Sequence, residues 1–438
     1  MKKILALLLA AIMVLSLAAC SGSGDDTTKA TDDTTTAAPA GDDTTAAPED
    51  TTAAPADEVT EITLKVWGPS EDQTENGWLI QMEEKFAAAH PEYKITWENA
   101  VCSEGDAGTL VTADPAAAGD VYMFANDQLG TLIQAGAISR LGGDFEAQVK
   151  TDNSQTLVNT VTHTDGNVYG FPMTNNTWFM YYNKDVFTEE DVKDLDVMLE
   201  KGVVAFPWGV GWYGGTFFFA NGGKLFGDAG INAAAGIQFG ADNGGYEAAL
   251  KMVQLAANGN FKDDVDQLGI TGLKTGDVGA CFSGSWDAAG LREALGDKLG
   301  AVQLPVVEIG GAKKQMMSFA GSKAVGVNPN TANPKAATQF AAFLASVEGQ
   351  KLRYEIRGVI PAASVLAEDE TVKTDIVAVA EINTMANTAV VQSSIPEMSQ
   401  YWTPIGNFGG LISSGEVNES NYKEQVDQMM GALNNTGL

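Results

Sequence analysis

Apolar and polar residues alternate along 61–67, Glu-Ile-Thr-Leu-Lys-Val-Trp, as expected of a strand with one buried face. A helical pattern follows at about 75–89 and stops before Pro91, because the residue ahead of a proline is disfavoured in the helical region. Tyr93–Glu98 and Val121–Phe124 read as further strands, with a helix starting after Asn126. Helices also fit at about 246–257, closed by Asn258-Gly259, and at about 335–347, where Phe340, Phe343, Leu344 and Val347 share a face. Strand and helix alternating at this spacing predict an α/β architecture with a largely parallel sheet. Ligands of such sheets bind beyond the carboxyl ends of the strands, where Trp67–Asp72 and Phe124–Asp127 would lie.

The first 58 residues follow no such pattern. Lys2 and Lys3 precede an apolar run, Ile4–Leu17, that is too short to span a bilayer comfortably and reads as the core of a signal peptide over 1–19. Its end, Leu17-Ala18-Ala19-Cys20, resembles the bacterial lipobox; ordinary cleavage near Ala19, leaving a free thiol, is the alternative. The resemblance implies a diacylglyceryl thioether on Cys20, whose two chains would anchor the protein stably to the cell membrane. Over 20–58 the unit Asp-Asp-Thr-Thr-Ala-Ala-Pro recurs without an aromatic or large aliphatic residue. Such a segment cannot offset its ordering entropy by burial, so a disordered, self-repelling tether is expected, with a composition that also permits an O-glycosylated stalk.

The remaining 380 or so residues exceed the size at which one core keeps growing, so two lobes are expected. Of 57 acidic and 26 basic residues in the chain, the tether holds ten acids and one lysine, and Lys2 and Lys3 lie in the signal peptide; the folded part keeps 24 more acids than bases. That surface should repel nucleic acid and anionic headgroups. With only His90 and His163, both expected at the surface, neither a zinc site nor a Ser-His-Asp arrangement is indicated, and no cofactor or metal is expected. Cys102 and Cys281 should be free, buried thiols, because a disulfide between them would clamp two lobes that must move. Gly209-Val-Gly-Trp-Tyr-Gly214 has the spelling of a dinucleotide loop, but Trp212 and Tyr213 would block a pyrophosphate; the glycines are expected to give a flexible loop carrying aromatic rings to a ligand.

Several ordered blocks resemble the family-1 extracellular solute-binding proteins of bacterial ABC importers, above all their maltose/maltodextrin-binding members. They are Ile62–Gly68, Gly119–Gly130, Gly166–Pro172 followed by Tyr181–Lys184, Gly284-Ser285-Trp286, and Ile395–Trp402, running from about 59 to 430. The resemblance implies two α/β lobes with a cleft between them, joined by three crossings near 174–178, 301–306 and 346–350. The first lobe would take 59–175 and 305–347, and the second 176–304 and 348–438. It also implies a monomer that captures an oligosaccharide by lobe closure, without converting it, and passes it to permease subunits of an ABC transporter.

A pyranose offers apolar C–H faces and a rim of hydroxyls, so its site needs flat rings and carboxylates or amides. By the resemblance Trp402, Trp286, Trp212 and Tyr213 form an aromatic floor in the second lobe, and Asp72 and Asp127 accept hydroxyls from the first. For each ring core packing is the competing reading, and for each acid a helix cap or a solvated loop. Trp67, Trp78 and Trp97 read as core. The chain departs from the family where Phe124 replaces a cleft tryptophan, Gln128 an arginine, and Asn176 an acid, with Trp178 beside it. These changes leave the sugar open: malto-, xylo-, manno- or galacto-oligosaccharide. A surface glycosidase, with its carboxylate pair, or an adhesin are the alternatives from other classes.

Overall fold

The computed structural model describes residues 59–228 and 230–434. Cys20 and the expected signal peptide and tether lie outside them. Strand β1 (Thr60–Gly68), β2 (Tyr93–Val101), β3 (Val121–Ala125) and β4 (Phe171–Asn176) open a first sheet. The chain then builds a second sheet with β5 (Phe179–Asn183) and β6 (Val204–Phe206). After a short hairpin, β7 (Lys224–Leu225) with β8 (Ile237–Gln238), that sheet gains β9 (Phe261–Asp263), β10 (Ala280–Ser283) and β11 (Leu299–Val302). A second hairpin, β12 (Val306–Ile309) with β13 (Ala312–Gln315), leads back to the first sheet, which β14 (Ser318–Val327) and β15 (Ala389–Val391) complete. The sheet orders are β15-β14-β3-β1-β2, with β4 also on β14, and β11-β5-β10-β6-β9.

The expected parallel pairing holds at the centre of the first sheet, where β1 runs parallel to β2 and β3. It fails at β14, which is antiparallel to both β3 and β4, so the sheet is mixed. Strands covered on both faces carry continuous apolar runs: Val121–Phe124 is wholly buried in β3, and so is Ala280–Ser283 in β10. One core gathers Leu64, Val66, Trp78, Phe86, Phe124 and Phe340 around the first sheet. A larger core covers one face of the second, with Trp178, Phe206, Trp208, Phe218 and Tyr401, while Phe179, Tyr181, Cys281 and Val377 pack on the other. These are the two lobes.

The links between the lobes sit partly where expected. Only Thr177 and Trp178 separate β4 from β5, and the Thr177 hydroxyl lies 2.8 Å from that of Ser318, so the first crossing is pinned to the start of β14. Residues 305–317 do not join the first lobe, because Val307, Ile309 and Met316 bury their side chains in the second core. Nor does the chain leave the first lobe near 346–350. The helix Val347–Arg357 packs on the helix Trp78–Ala89, with the Trp78 indole donating to the Gly349 carbonyl at 2.7 Å, and Gln350 accepts from Ala362 and Ala363 N–H at 2.7 and 2.8 Å. Burial of Arg353, described below, supplies the physical reason. Cys102 and Cys281 are free and buried, and burial pushes the Cys102 thiol up to about 11. His90 and His163 are half-buried rather than exposed; the His90 ring packs on that of Phe86 at 4.2 Å, and its Nδ1 lies 2.9 Å from Glu92 Oε1. Among the described residues no helix is long and apolar enough to cross a membrane.

Candidate ligand-binding cleft

The carboxyl ends of the strands gather several of the candidate side chains, as is usual for ligand sites of open α/β sheets. In the first lobe β1 runs into a 3-10 turn at Ser70–Asp72, and β3 into one at Asn126–Gln128. In the second lobe β6 leads to Trp208–Tyr213, and β10 to the turn Ser285–Asp287 that carries Trp286. A cavity of about 340 Å³ lies between Asp127, Gln128, Thr109, Thr112 and Thr131 of the first lobe and Ser399 and Trp402, which belong with the second. Burial pushes the Asp127 carboxyl up to about 6.

Trp402 starts the helix Trp402–Ser413, and its ring rests edge-on against Phe319 at 5.6 Å. Its position depends on glycines. A side chain at Gly211 would collide with the Trp402 carbonyl, at Gly214 with Ile405, and at Gly409 with the Trp208 carbonyl. Backbone therefore meets backbone between the helical turn Gly211–Gly214 and the helix Trp402–Ser413. This corrects the reading of 209–214 as a flexible loop: its glycines permit tight helix packing, which brings Trp212 and Trp402 onto neighbouring helix ends.

Trp212 is half-buried and its indole N–H donates to Gln392 Oε1 at 3.3 Å. Trp286 is 48% exposed, with its ring 5.6 Å from that of Trp212 and tilted by 31°. It folds back over Gly284, where a Cβ would strike the indole. Tyr213 sits beneath, half-buried, 4.9 Å from the Trp178 ring. Two partly exposed indoles and one tyrosine thus share a wall, while Trp402 and Asp127 both line the cavity.

Three expected contacts are elsewhere. Asp72 is 0% exposed, and its carboxylate accepts from Arg353 Nη2 at 2.7 Å and Arg357 Nη1 at 2.9 Å, so it is consumed by ion pairs instead of facing a sugar. Phe124 is fully buried because β3 is flanked by β1 and β14 and covered on both faces. Trp178 is buried too, edge-on to Phe206 and Phe282; its indole donates to the Trp212 carbonyl at 3.1 Å, supporting the floor from below. Asn176, half-buried at the end of β4, stands at the crossing. Gln128 binds the loop beside it, accepting from Gly108 N–H and donating to the Gly105 carbonyl.

Sequence reasoning missed Gln392 and the three threonines. Gln392 is buried at the junction, where its side chain orients Trp212 and its carbonyl accepts from Asn126 Nδ2 at 3.2 Å. Its position four residues before Pro396 carried no chemical signal. Thr109 and Thr112 repeat at three-residue spacing on the short helix Ala107–Ala113, a polar stripe that could have marked one face. Among the described residues no group of three His, Cys, Asp or Glu is placed to hold a metal ion.

Cleft, lobes and aromatic wall together define a two-lobed ligand-capturing protein. The profile of the family described as bacterial extracellular solute-binding protein matches residues 81–381, and the chain belongs to that family of binding proteins, which are not enzymes. It is 27% identical to a galactooligosaccharide-binding protein of Bacillus subtilis (strain 168) over 339 residues, covering 72% of this chain and 76% of that one. It is 27% identical to a maltooligosaccharide ABC transporter solute-binding lipoprotein of Streptococcus pneumoniae (strain ATCC BAA-255 / R6), covering 66% and 70%. A solved structure with acarbose superposes with a TM-score of 0.81 at 43% identity, over 86% of this chain and 99% of that one.

Proposed function

We propose that this protein captures a malto-oligosaccharide outside the cell and hands it to an ABC import permease. The observation that carries the reading is that Asp127 and Trp402, which come from different lobes, line one cavity. A sugar seated there touches both lobes, and those differential contacts shift the population towards closure. Trp212 and Trp286 extend an apolar floor for pyranose faces beside it. The acarbose-containing structure and the oligosaccharide-binding relatives support this class of ligand. The lipobox-like end at Cys20 supports anchoring to the outer face of the cell membrane, with the tether as spacer.

Calorimetry of the purified protein against malto-, galacto-, xylo- and manno-oligosaccharides tests the proposal. The expected result is one-to-one binding, tightest for a malto-oligosaccharide, with the sugar recovered intact. Tighter binding of a galacto-oligosaccharide would replace the assigned sugar, and steady release of shorter products would overturn the binding role itself.

A further inference from the structure

Gln392 directly follows β15, and its backbone still belongs to the first lobe. Its N–H donates to the Ala320 carbonyl of β14 at 2.9 Å, and its carbonyl accepts from Asn126 Nδ2 at 3.2 Å. Asn126 in turn accepts from the Ser322 N–H at 3.0 Å and immediately precedes Asp127. One residue further on the chain is held by the second lobe: the Ser393 hydroxyl donates to the Gly230 carbonyl, and Ile395 is buried in the second core. Gln392 therefore stands where the chain passes between lobes, tied to the turn that carries Asp127.

Its side chain reaches the other way, to the second lobe's aromatic wall, where the Trp212 indole donates to Gln392 Oε1 at 3.3 Å. An indole nitrogen can only donate, so it selects the oxygen of the amide and turns Nε2 away from itself. Gln392 is only 3% exposed, yet Nε2 meets no acceptor among the described residues. Nor is it one of the polar atoms sealed from solvent without a partner, so this edge of the amide is open. Leaving two donors of a deep amide unmade is costly, and methionine would fill the same length without that cost. The space beside it is tightly shaped. A side chain at Gly321 of β14 would come within 2.9 Å of Asn126 Oδ1, 3.1 Å of the Asn176 carbonyl and 3.2 Å of Gln392 Oε1. Glycine there lets the end of β4, the Asp127 turn and the Gln392 amide converge.

We propose that Gln392 is a ligand-contacting residue at the base of the cleft: the Trp212 indole holds its Oε1, and its Nε2 donates to an oxygen of the sugar unit that stacks on the Trp212–Trp286 wall. This rests on the sugar-capture reading of the same cleft. Amide N–H groups match the lone pairs of hydroxyl, ring and glycosidic oxygens, while a carboxylate such as Asp127 can only accept from hydroxyls. The two residues thus supply the complementary halves of hydroxyl recognition, and Asn126 links them. The backbone of Gln392 belongs to the first lobe and the ring it holds to the second. A sugar bonded to Nε2 while lying on Trp212 therefore engages both lobes through one side chain.

The test is calorimetry of the full-length protein with maltotriose at neutral pH, with the apo melting temperature of each variant. Gln392→Glu keeps an acceptor for the indole and removes both donors; it should lose about fivefold to tenfold in affinity. Gln392→Met removes the acceptor as well and should lose at least as much. Trp212→Phe keeps a ring and removes the indole N–H. In that background Gln392→Met should still weaken binding, because the sugar loses its donor, but by a smaller factor than in the wild type, because no indole is left to hold. This pair decides the matter even where the buried charge of Gln392→Glu prevents folding. No loss from Gln392→Met beside Trp212→Phe would make Gln392 a support for the ring alone, and an equal loss in both backgrounds would show that the indole does not hold the amide; either overturns the inference. So does a drop in apo melting temperature with affinity kept in the folded fraction. No maltotriose binding by the wild type overturns the sugar reading with it.

Discussion

The turns that follow β1 and β3 look alike until their surroundings are counted. Both are single 3-10 turns at the carboxyl ends of neighbouring parallel strands, and each contains one aspartate. Asp127 lines the cavity together with Trp402. Asp72 is sealed beneath Arg353 and Arg357, which stand one helical turn apart on the helix Val347–Arg357 and arrive 281 and 285 residues later in the chain. Local position makes an acid a candidate for ligand binding, and a distant partner decides whether it stays free. Burial explains the asymmetry: Asp72, Glu104 and Arg353 share charge almost wholly out of water, with the partly exposed Arg357 at the edge, and an unpaired buried member would be costly.

The largest effect should come from breaking that pairing. Arg353→Met leaves Asp72 and Glu104 buried without their common partner and should cost about 3–5 kcal/mol of stability in urea denaturation. If the variant unfolds with an unchanged midpoint, the network is not holding the first lobe. Asp72→Asn sharpens the contrast, since it should lower stability while sugar affinity in the folded fraction is kept.

Trp286→Ala should cost on the order of 2 kcal/mol of binding, a thirtyfold loss, with little change in apo melting temperature because the ring is 48% exposed. Trp402→Ala should lose affinity and stability together, as its ring is half-buried against Phe319. Melting without loss of affinity would return Trp402 to the core.

Asp127→Asn comes next, with about 1.5–3 kcal/mol expected for a charged acceptor of sugar hydroxyls. Its carboxyl is raised to about 6, so in the wild type affinity should fall as pH drops through that value and the acceptor is protonated. The asparagine variant should show no such fall in titrations from pH 7 to 5. An identical acid limb in both proteins would assign the titration to another group. The smallest effect belongs to Phe124→Leu, which should leave sugar affinity within about twofold and cost under about 1.5 kcal/mol of stability, the signature of a core ring.

Read along the chain, the pattern of apolar residues was enough for the strands β1 to β3, the helix that ends before Pro91, and the division into two α/β lobes. These follow from short-range periodicity and chain length, which are properties of sequence. Trp286 and Trp402 were legible as candidate rings, from glycine-, serine- or proline-rich surroundings together with the family resemblance, whereas the glycines around Trp212 left core and cleft equally open. Which rings stack was not legible, because the approach of Gly211 to Trp402 joins segments 191 residues apart. The direction of β14, the path of 305–317 into the second lobe and the withdrawal of Asp72 were likewise settled in three dimensions. Each depends on a partner too far along the chain for any local pattern to announce, and burial, which sets the energy of a charge, exists only once the lobes have packed.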